Sequence, residues 1–249
     1  MNFPKVSSTP SIKYQDKITQ KKTETNTKKK YDMPAIWLHP TELDFPSPDS
    51  FDTPDVIAVG GDLSPDRLYV AYTMGIFPWY NEDEPILWWS PEPRMVLFPE
   101  DLIIAKSMRS YFNQKKFEVT YNTDFKGVMT ACKNTNRDGQ DGTWINDEMI
   151  EAYYALHQRG HAHSVEVWQN SDMVGGLYGI KIGKIFYGES MFATVSNASK
   201  FGFINLVLKL KDEGIVMIDC QQKTRHLSSL GAISISRAQF YTILKKQAR

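Results

Sequence analysis

A chain of 249 residues with 41% hydrophobic content and balanced charge, 29 Lys and Arg against 29 Asp and Glu, is long enough for one large domain or a small one joined to a larger one. No apolar run approaches the roughly 18–20 residues of a membrane helix, and no apolar segment near Met1 reads as a secretory leader, so neither a membrane-spanning helix nor a signal peptide is expected. The two cysteines, Cys132 and Cys220, form neither a metal-ligand spacing nor a disulfide framework, and a reducing cytoplasm is the expected compartment.

Residues 1–33 hold 8 Lys and 3 acids and few apolar side chains. A segment such as Lys21–Lys30 has too little surface to bury, and a disordered Lys-rich tail is expected. A transit peptide would be rich in Arg, and the first Arg is Arg67. Residues 34–98 are dense in Pro, Asp and aromatics, with Trp37, Phe45, Phe51, Phe77, Trp79, Trp88 and Trp89. They are expected to form a small aromatic-rich α/β domain of turns and short strands. One helix is predicted from Pro65 to about Met74, with Ser64 as N-cap and Pro65 at the first helical position.

The larger domain is expected over 99–249, its first strand at Met95–Phe98. A helix near Leu102–Asn113, a strand at Phe117–Tyr121 and a helix at Asp124–Lys133 follow. The loop Asn134–Thr143 is marked by Asp138-Gly139-Gln140-Asp141-Gly142. A helix at Asn146–Gln158 puts Met149, Ala152, Tyr153 and Leu156 on one face. Three strands come next, at Ser164–Trp168, Met173–Ile182 and Lys184–Phe192. A helix from Ala198 to Lys211, with Asn197 as candidate cap, leads to a strand at Ile215–Gln221. A short helical turn, a strand at Ala232–Ser236 and a helix at Ala238–Lys246 complete the chain. Antiparallel strands followed by a strand–helix–strand unit predict an α+β fold, with a mixed sheet covered by helices on both faces.

Two of these strands each deliver an acid into apolar surroundings, Glu189 in Phe186-Tyr187-Gly188-Glu189-Ser190-Met191-Phe192 and Asp219 in Val216-Met217-Ile218-Asp219-Cys220-Gln221. An ionised group there is costly unless paired or hydrogen-bonded, so the two acids mark either a site or a hydrogen-bonded brace. Alternation turns Asp219 and Gln221 to one side of their strand and Cys220 to the other. A carboxylate accepts a proton and a carboxamide both donates and accepts. Together they could orient and deprotonate an incoming amine, with Glu189 on a neighbouring strand binding that amine or its side chain. Cys220 near His226 offers a thiol nucleophile as one reading and a packed core cysteine as the other, which the alternation favours.

His161-Ala162-His163 beside a turn reads as structural rather than metal-binding. There is no phosphate-cradling Gly-Lys-Ser/Thr loop and no dinucleotide fingerprint. The glycines of Gly175-Gly176-Leu177-Tyr178-Gly179 mark a bulge or a close backbone approach. Trp79 and Trp144 sit at loop edges, where a Trp is either a core plug or a stacking surface for a base, worth about 1–3 kcal/mol. Charge is uneven: residues 34–100 hold 2 Arg and 12 acids, residues 101–249 hold 19 basic and 14 acidic residues. Chance and solubility are one account of this, and two regions facing ligands of opposite charge are the other.

A series of motifs carries more. Gly60-Gly61-Asp62-Leu63-Ser64-Pro65, Gly75-Ile76-Phe77-Pro78-Trp79-Tyr80, Leu87-Trp88-Trp89-Ser90-Pro91, Gly142-Thr143-Trp144-Ile145, His163-Ser164-Val165-Glu166, Gly188-Glu189-Ser190-Met191-Phe192, Asn197-Ala198-Ser199-Lys200, Ile218-Asp219-Cys220-Gln221, His226-Leu227 and Ser229-Leu230-Gly231-Ala232 occur in order. Over roughly residues 34–240 this series resembles the leucyl/phenylalanyl-tRNA–protein transferases. The resemblance implies a small N-terminal domain before a GNAT-like acyltransferase domain. It implies transfer of Leu, Phe or, less well, Met from tRNA to the α-amino group of a protein beginning with Arg or Lys, marking it for N-degron proteolysis.

By the same resemblance Asp219 and Gln221 match a proton-relay pair and Glu189 an acidic site residue. Trp79, Trp144, Phe186, Met191 and Ile218 match positions lining the aminoacyl-adenosine site, with Leu177, Phe203 and Leu206 where further apolar pocket residues fall. The aminoacyl ester is already activated, so no cofactor or metal is expected. The expected partners are the aminoacyl-tRNA, met by the basic residues of 101–249, and the acceptor protein, attracted by the acidic residues of 34–100, with the enzyme a monomer. An acetyl-CoA-dependent N-acetyltransferase is one competitor, but Ala193–Lys200 lacks the glycines of a pyrophosphate loop. A non-catalytic adaptor for basic N-termini is the other.

Overall fold

The computed structural model describes residues 36–46, 55–135 and 144–248. The Lys-rich tail over 1–33, Phe51 and the glycine-marked loop at 136–143 lie outside the described residues.

The N-terminal part forms a four-stranded sheet in the order β1-β2-β4-β3, from β1 (Ile36–Leu38), β2 (Val56–Gly60), β3 (Phe77–Pro78) and β4 (Leu87–Trp89). β1 runs parallel to β2, and β4 is antiparallel to both β2 and β3. Helix α1 (Pro65–Thr73) begins as predicted: Ser64 caps it by accepting from the Arg67 N–H, Pro65 opens it, and Leu68, Ala71 and Tyr72 face inward. The Arg67 side chain is fully buried yet satisfied, donating to Asp62 and to the carbonyls of His39, Pro40 and Glu42.

The remaining elements build a seven-stranded sheet in the order β11-β5-β10-β9-β8-β7-β6. They are β5 (Arg94–Leu97), a 3-10 turn (Pro99–Asp101), α2 (Lys106–Asn113), β6 (Glu118–Tyr121), α3 (Phe125–Lys133), α4 (Asp147–Gln158), β7 (Ala162–Gln169), β8 (Asp172–Ile182), β9 (Ile185–Ala193), α5 (Ala198–Asp212), β10 (Met217–Gln221), α6 (Arg225–Ser228), β11 (Ile233–Ile235) and α7 (Arg237–Gln247). Only β9 and β10 are parallel, joined through α5, so the sheet is mixed as expected. Helices cover both faces. One face joins α1, α3, α4, α7 and the N-terminal sheet in a single apolar cluster with Leu68, Tyr72, Trp88, Tyr153, Tyr187 and Phe240. The other packs α2 and α5 over Met108, Leu177, Phe186, Phe203, Leu206 and Ile218.

Two expectations are corrected. Helix α2 starts at Lys106 rather than near Leu102, because the chain first runs extended after the 3-10 turn and the Ile103 N–H donates to the Leu230 carbonyl at 3.0 Å. Asn197 does precede α5, but at φ +67° its amide is turned to the Tyr111 hydroxyl, 3.0 Å away, and does not cap the helix. β5 begins before the expected division at 98/99 and pairs inside the larger sheet with β10 and β11.

The glycines of β8 serve both purposes read from the sequence. A Cβ on Gly175 would stand 2.8 Å from the Ala198 Cβ, so the absence of a side chain lets α5 start against the sheet. A Cβ on Gly179 would stand 2.2 Å from the Tyr187 carbonyl oxygen and 2.5 Å from the Phe186 ring, beside a bulge in the β8–β9 pairing. Gly179→Ala is therefore expected to cost about 1–3 kcal/mol, since the obstacle is backbone and cannot turn aside. Urea unfolding measures it, and a midpoint equal to wild type would show that the strands part freely here.

Candidate active site

The site forms where the parallel pair of the seven-stranded sheet comes apart. β9 and β10 are in register at Ile185/Met217, Phe186/Ile218 and Tyr187/Asp219, and pairing ends there. On β9 the bulge intervenes: Gly188 is opposite Gly179 and Ser190 opposite Tyr178, so Glu189 is the extra residue with no partner on β8. The insertion reverses the alternation, and Met191 joins Phe186 on one face while Phe192 joins Tyr187 on the other. On β10 the pairing with β5 shifts between Asp219 and Gln221. Gln221 has φ +55°, and the Gln222 N–H donates to the Cys220 carbonyl at 2.7 Å, closing a three-residue turn. A non-glycine residue in this conformation stores strain that the surrounding contacts must hold, as is common at functional sites.

Asp219 supplies that hold. It is fully buried and accepts Arg94 Nε on Oδ1 at 2.9 Å and Arg94 Nη2 on Oδ2 at 2.6 Å, while Oδ1 also accepts the Gln221 backbone N–H at 2.9 Å. Arg94 lies between the rings of Phe77 and Phe240, 4.9 and 4.6 Å from their centroids, and donates to the Gly75 carbonyl at 3.0 Å. The carboxylate is thus fastened to β5 and to the N-terminal part at once.

Glu189 is different in kind. It is 3% exposed and has no cation within its own hydrogen bonds. Burial pushes its pKa up to about 8; hydrogen bonds from Tyr72 and Tyr153 and the charge of Arg94 work against that rise, and Asp219 adds to it. Gln221 Nε2 donates to Glu189 Oε1 at 3.3 Å. The other end of that carboxamide, Oε1, is buried and has no hydrogen-bond partner among the described residues. Trp144 Nε1 is orphaned in the same way, on a side chain only 4% exposed. Buried polar atoms are rarely left unpaired, and these two, an acceptor and a donor, belong to residues of one small recess lined by Phe77, Pro78, Trp79, Trp144, Glu189 and Gln221. Trp79 is braced there by Trp89, their rings 5.1 Å apart.

The candidate residues therefore fall into two groups. Glu189, Gln221, Trp79 and Trp144 meet at the recess, with Asp219 behind Gln221. Phe186, Met191 and Ile218 lie on the opposite face of the sheet, in one apolar cluster with Leu177, Phe203 and Leu206. Phe186 and Leu206 also border a second recess there, about 130 Å³, with Leu210, Tyr121 and Lys181. Cys220 points into that apolar cluster, where burial raises its thiol pKa, so it is a core residue and no nucleophile.

Arg94, Tyr72 and Tyr153 were missed in the sequence. Arg94 left one signal, since an arginine opening the apolar run Met95-Val96-Leu97 must find an acceptor inside. The tyrosines left none, because their partners lie on other elements. Among the described residues no cluster of His, Cys, Asp and Glu is arranged to hold a metal ion, and no helix is long and apolar enough to cross a membrane.

Comparison with known proteins agrees with the motif series. The family model described as leucyl/phenylalanyl-tRNA protein transferase matches residues 96–245, and that of the N-terminal domain of the same proteins matches 61–92. The leucyl/phenylalanyl-tRNA–protein transferase of Christiangramia forsetii is 60% identical over 210 residues, covering 84% of this chain and 99% of that one. The protein of the same name from Flavobacterium johnsoniae is 56% identical over 206 residues, covering 83% and 97%. Solved structures align loosely. A GCN5-related N-acetyltransferase from Kribbella flavida is 9% identical, with a TM-score of 0.38 over 68% of this chain and 60% of that one, and no assignment rests on it. With relatives aligned over nearly their whole length and family models matched in both parts, this chain belongs to the leucyl/phenylalanyl-tRNA–protein transferase family of aminoacyltransferases.

Proposed function

We propose that this enzyme moves Leu or Phe, and less well Met, from aminoacyl-tRNA to the α-amino group of proteins beginning with Arg or Lys, forming a peptide bond and marking them for N-degron proteolysis in the cytoplasm. The observation that carries this reading is the recess beside the parted strands, in which a buried acceptor (Gln221 Oε1) and a buried donor (Trp144 Nε1) have no partner next to the Glu189 carboxyl. The terminal adenosine stacks against Trp79 and Trp144. The aminoacyl side chain passes between β9 and β10 to the apolar face, where Phe186, Met191, Ile218, Leu177, Phe203 and Leu206 select it by shape, at about 1–3 kcal/mol per methylene. The two groups on opposite faces of the sheet then serve one ligand.

The chemistry is aminolysis of an activated ester. The acceptor arrives as an ammonium with a pKa of about 7.7–8.0. A carboxyl held up to about 8 has nearly the same proton affinity, so transfer of one ammonium proton to Glu189 is close to thermoneutral. Gln221 Oε1 accepts a second N–H and aims the lone pair at the ester carbonyl. The C–N bond forms, the C–O bond to the ribose breaks, one proton stays as the N–H of the new amide and the other goes to the leaving ribose oxygen. Asp219, held by Arg94 at both oxygens, keeps the Gln221 turn in place and so acts with Gln221 as the pair that orients the amine. The proposed division is an N-terminal domain (34–98) followed by a transferase domain (99–249); separate family models for 61–92 and 96–245 support two parts, the second beginning a few residues earlier, with β5.

The test is transfer of labelled Phe or Leu from tRNA to peptides differing only in the first residue. Wild type is expected to label Arg- and Lys-initiated peptides and to spare Ala-initiated ones. Gln221→Ala should lower kcat/KM about 100-fold. No transfer by wild type would sink the function, and equal labelling of the Ala peptide would remove the acceptor specificity.

A further inference from the structure

Glu189 is gripped from behind by two tyrosines that take no part in the steps above. Tyr72 comes from α1 and Tyr153 from α4, and both are fully buried. Their hydroxyl oxygens are 2.6 Å apart, and the Tyr153 hydroxyl donates to Glu189 Oε2 at 3.4 Å. The Tyr72 hydroxyl also faces this carboxyl. Gln221 holds the other oxygen, Oε1, so hydroxyls and carboxamide grip the carboxyl from opposite ends.

The ring positions are fixed independently. Tyr72 packs edge-on to Tyr153 and to Tyr187, at 6.4 and 5.1 Å, and the Tyr187 hydroxyl donates to the Tyr72 carbonyl at 2.7 Å. Phenylalanine at 72 and 153 would fill the same space with the same ring contacts. The hydroxyls add nothing to packing, and burying them is unfavourable unless they bond to something. What they bond to is each other and Glu189.

We propose that Tyr72 and Tyr153 are positioning residues of the transfer reaction, their paired hydroxyls holding the ionised Glu189 carboxylate and so setting the pH range over which it takes the acceptor's proton. This rests on the reading of Glu189 given above. The groups facing Glu189 are Tyr72 on α1, Tyr153 on α4, Arg94 on β5, Asp219 and Gln221 on β10 and Tyr187 on its own strand, with Tyr178 of β8 behind Tyr153. Tyr72→Phe and Tyr153→Phe each take one hydroxyl from beside this carboxyl and leave every charge and every ring in place. A hydrogen bond to the carboxylate favours the charged form, so its loss moves the Glu189 midpoint upward.

The experiment compares wild type, Tyr153→Phe and Tyr72→Phe by two readouts. The first is the ionisation midpoint of the Glu189 carboxyl by NMR of carbon-13-labelled glutamate, assigned with Glu189→Gln, which needs no substrate. The second is the pH profile of kcat/KM for transfer. Each Phe variant is expected to raise the midpoint by about one pH unit, to lower kcat/KM at pH 7 roughly tenfold, and to regain activity as pH passes the new midpoint. Unmoved midpoints in both variants would overturn the proposal. So would an activity loss that is equal at every pH, because that is the signature of a packing role. A wild type that transfers nothing overturns the function itself, and the NMR midpoint still separates the two failures.

Discussion

Replacing Arg94 with alanine is expected to cost about 3–5 kcal/mol of folding stability and to abolish transfer. Arg94 and Asp219 are both buried, so each is tolerable only because the other is present. Without the guanidinium, the Asp219 carboxylate keeps the Gln221 N–H as its donor and stays fully buried. The damage reaches function along a short path. Asp219 Oδ1 holds the backbone of Gln221 in a strained turn, and Gln221 Oε1 is the group proposed to aim the amine. Arg94→Lys separates the two effects. An ammonium retains the charge but cannot offer the planar fork that meets both carboxylate oxygens, so the fold is expected to survive with transfer reduced. Chemical denaturation and the transfer assay read the pair. An Arg94→Ala protein that unfolds at the wild-type denaturant concentration would mean the ion pair contributes nothing to stability.

Glu189→Gln is expected to make the protein more stable at alkaline pH while removing its activity. The Glu189 pKa is about 8 in the folded protein against an ordinary value of 4.5. Between those values the native state keeps a proton that the unfolded chain has released, so stability falls as pH rises. Below the lower value there is no difference, and above the upper value the loss is complete. At about 1.4 kcal/mol per pH unit the whole interval is worth on the order of 5 kcal/mol. Glutamine cannot ionise and is exempt from this decline, so the gap between variant and wild type should widen from pH 5 to pH 9. Melting temperatures across that range decide it. Parallel curves for the two proteins would show that another group carries the titration. A stabilising change that silences the enzyme is the expected mark of a residue kept for chemistry at the expense of the fold.

How the site was legible depends on how far apart its parts lie in the chain. The start of α1 needed only Ser64 and Pro65, and the run of antiparallel strands before a strand–helix–strand unit implied the mixed sheet. A two-residue period puts Asp219 and Gln221 on one side of a strand and Cys220 on the other. The structure agrees, with Cys220 in the far core and Gln221 at the recess. The same period fails on β9. Extended through Glu189 it puts Met191 beside Tyr187, whereas the bulge turns Met191 to the Phe186 face.

The sequence by itself therefore determined the family, the order of the main elements, the cap of α1 and the side to which a regular strand turns each residue, because these are carried by local motifs and near neighbours. Only the tertiary structure decided that Arg94 lies against an acid 125 positions on, that Tyr72 meets Tyr153 across 81, and that the candidate pocket residues divide between two faces of one sheet. Strand order selects those partners, and a bulge comes from a mismatch between two strands rather than from the residues of either one.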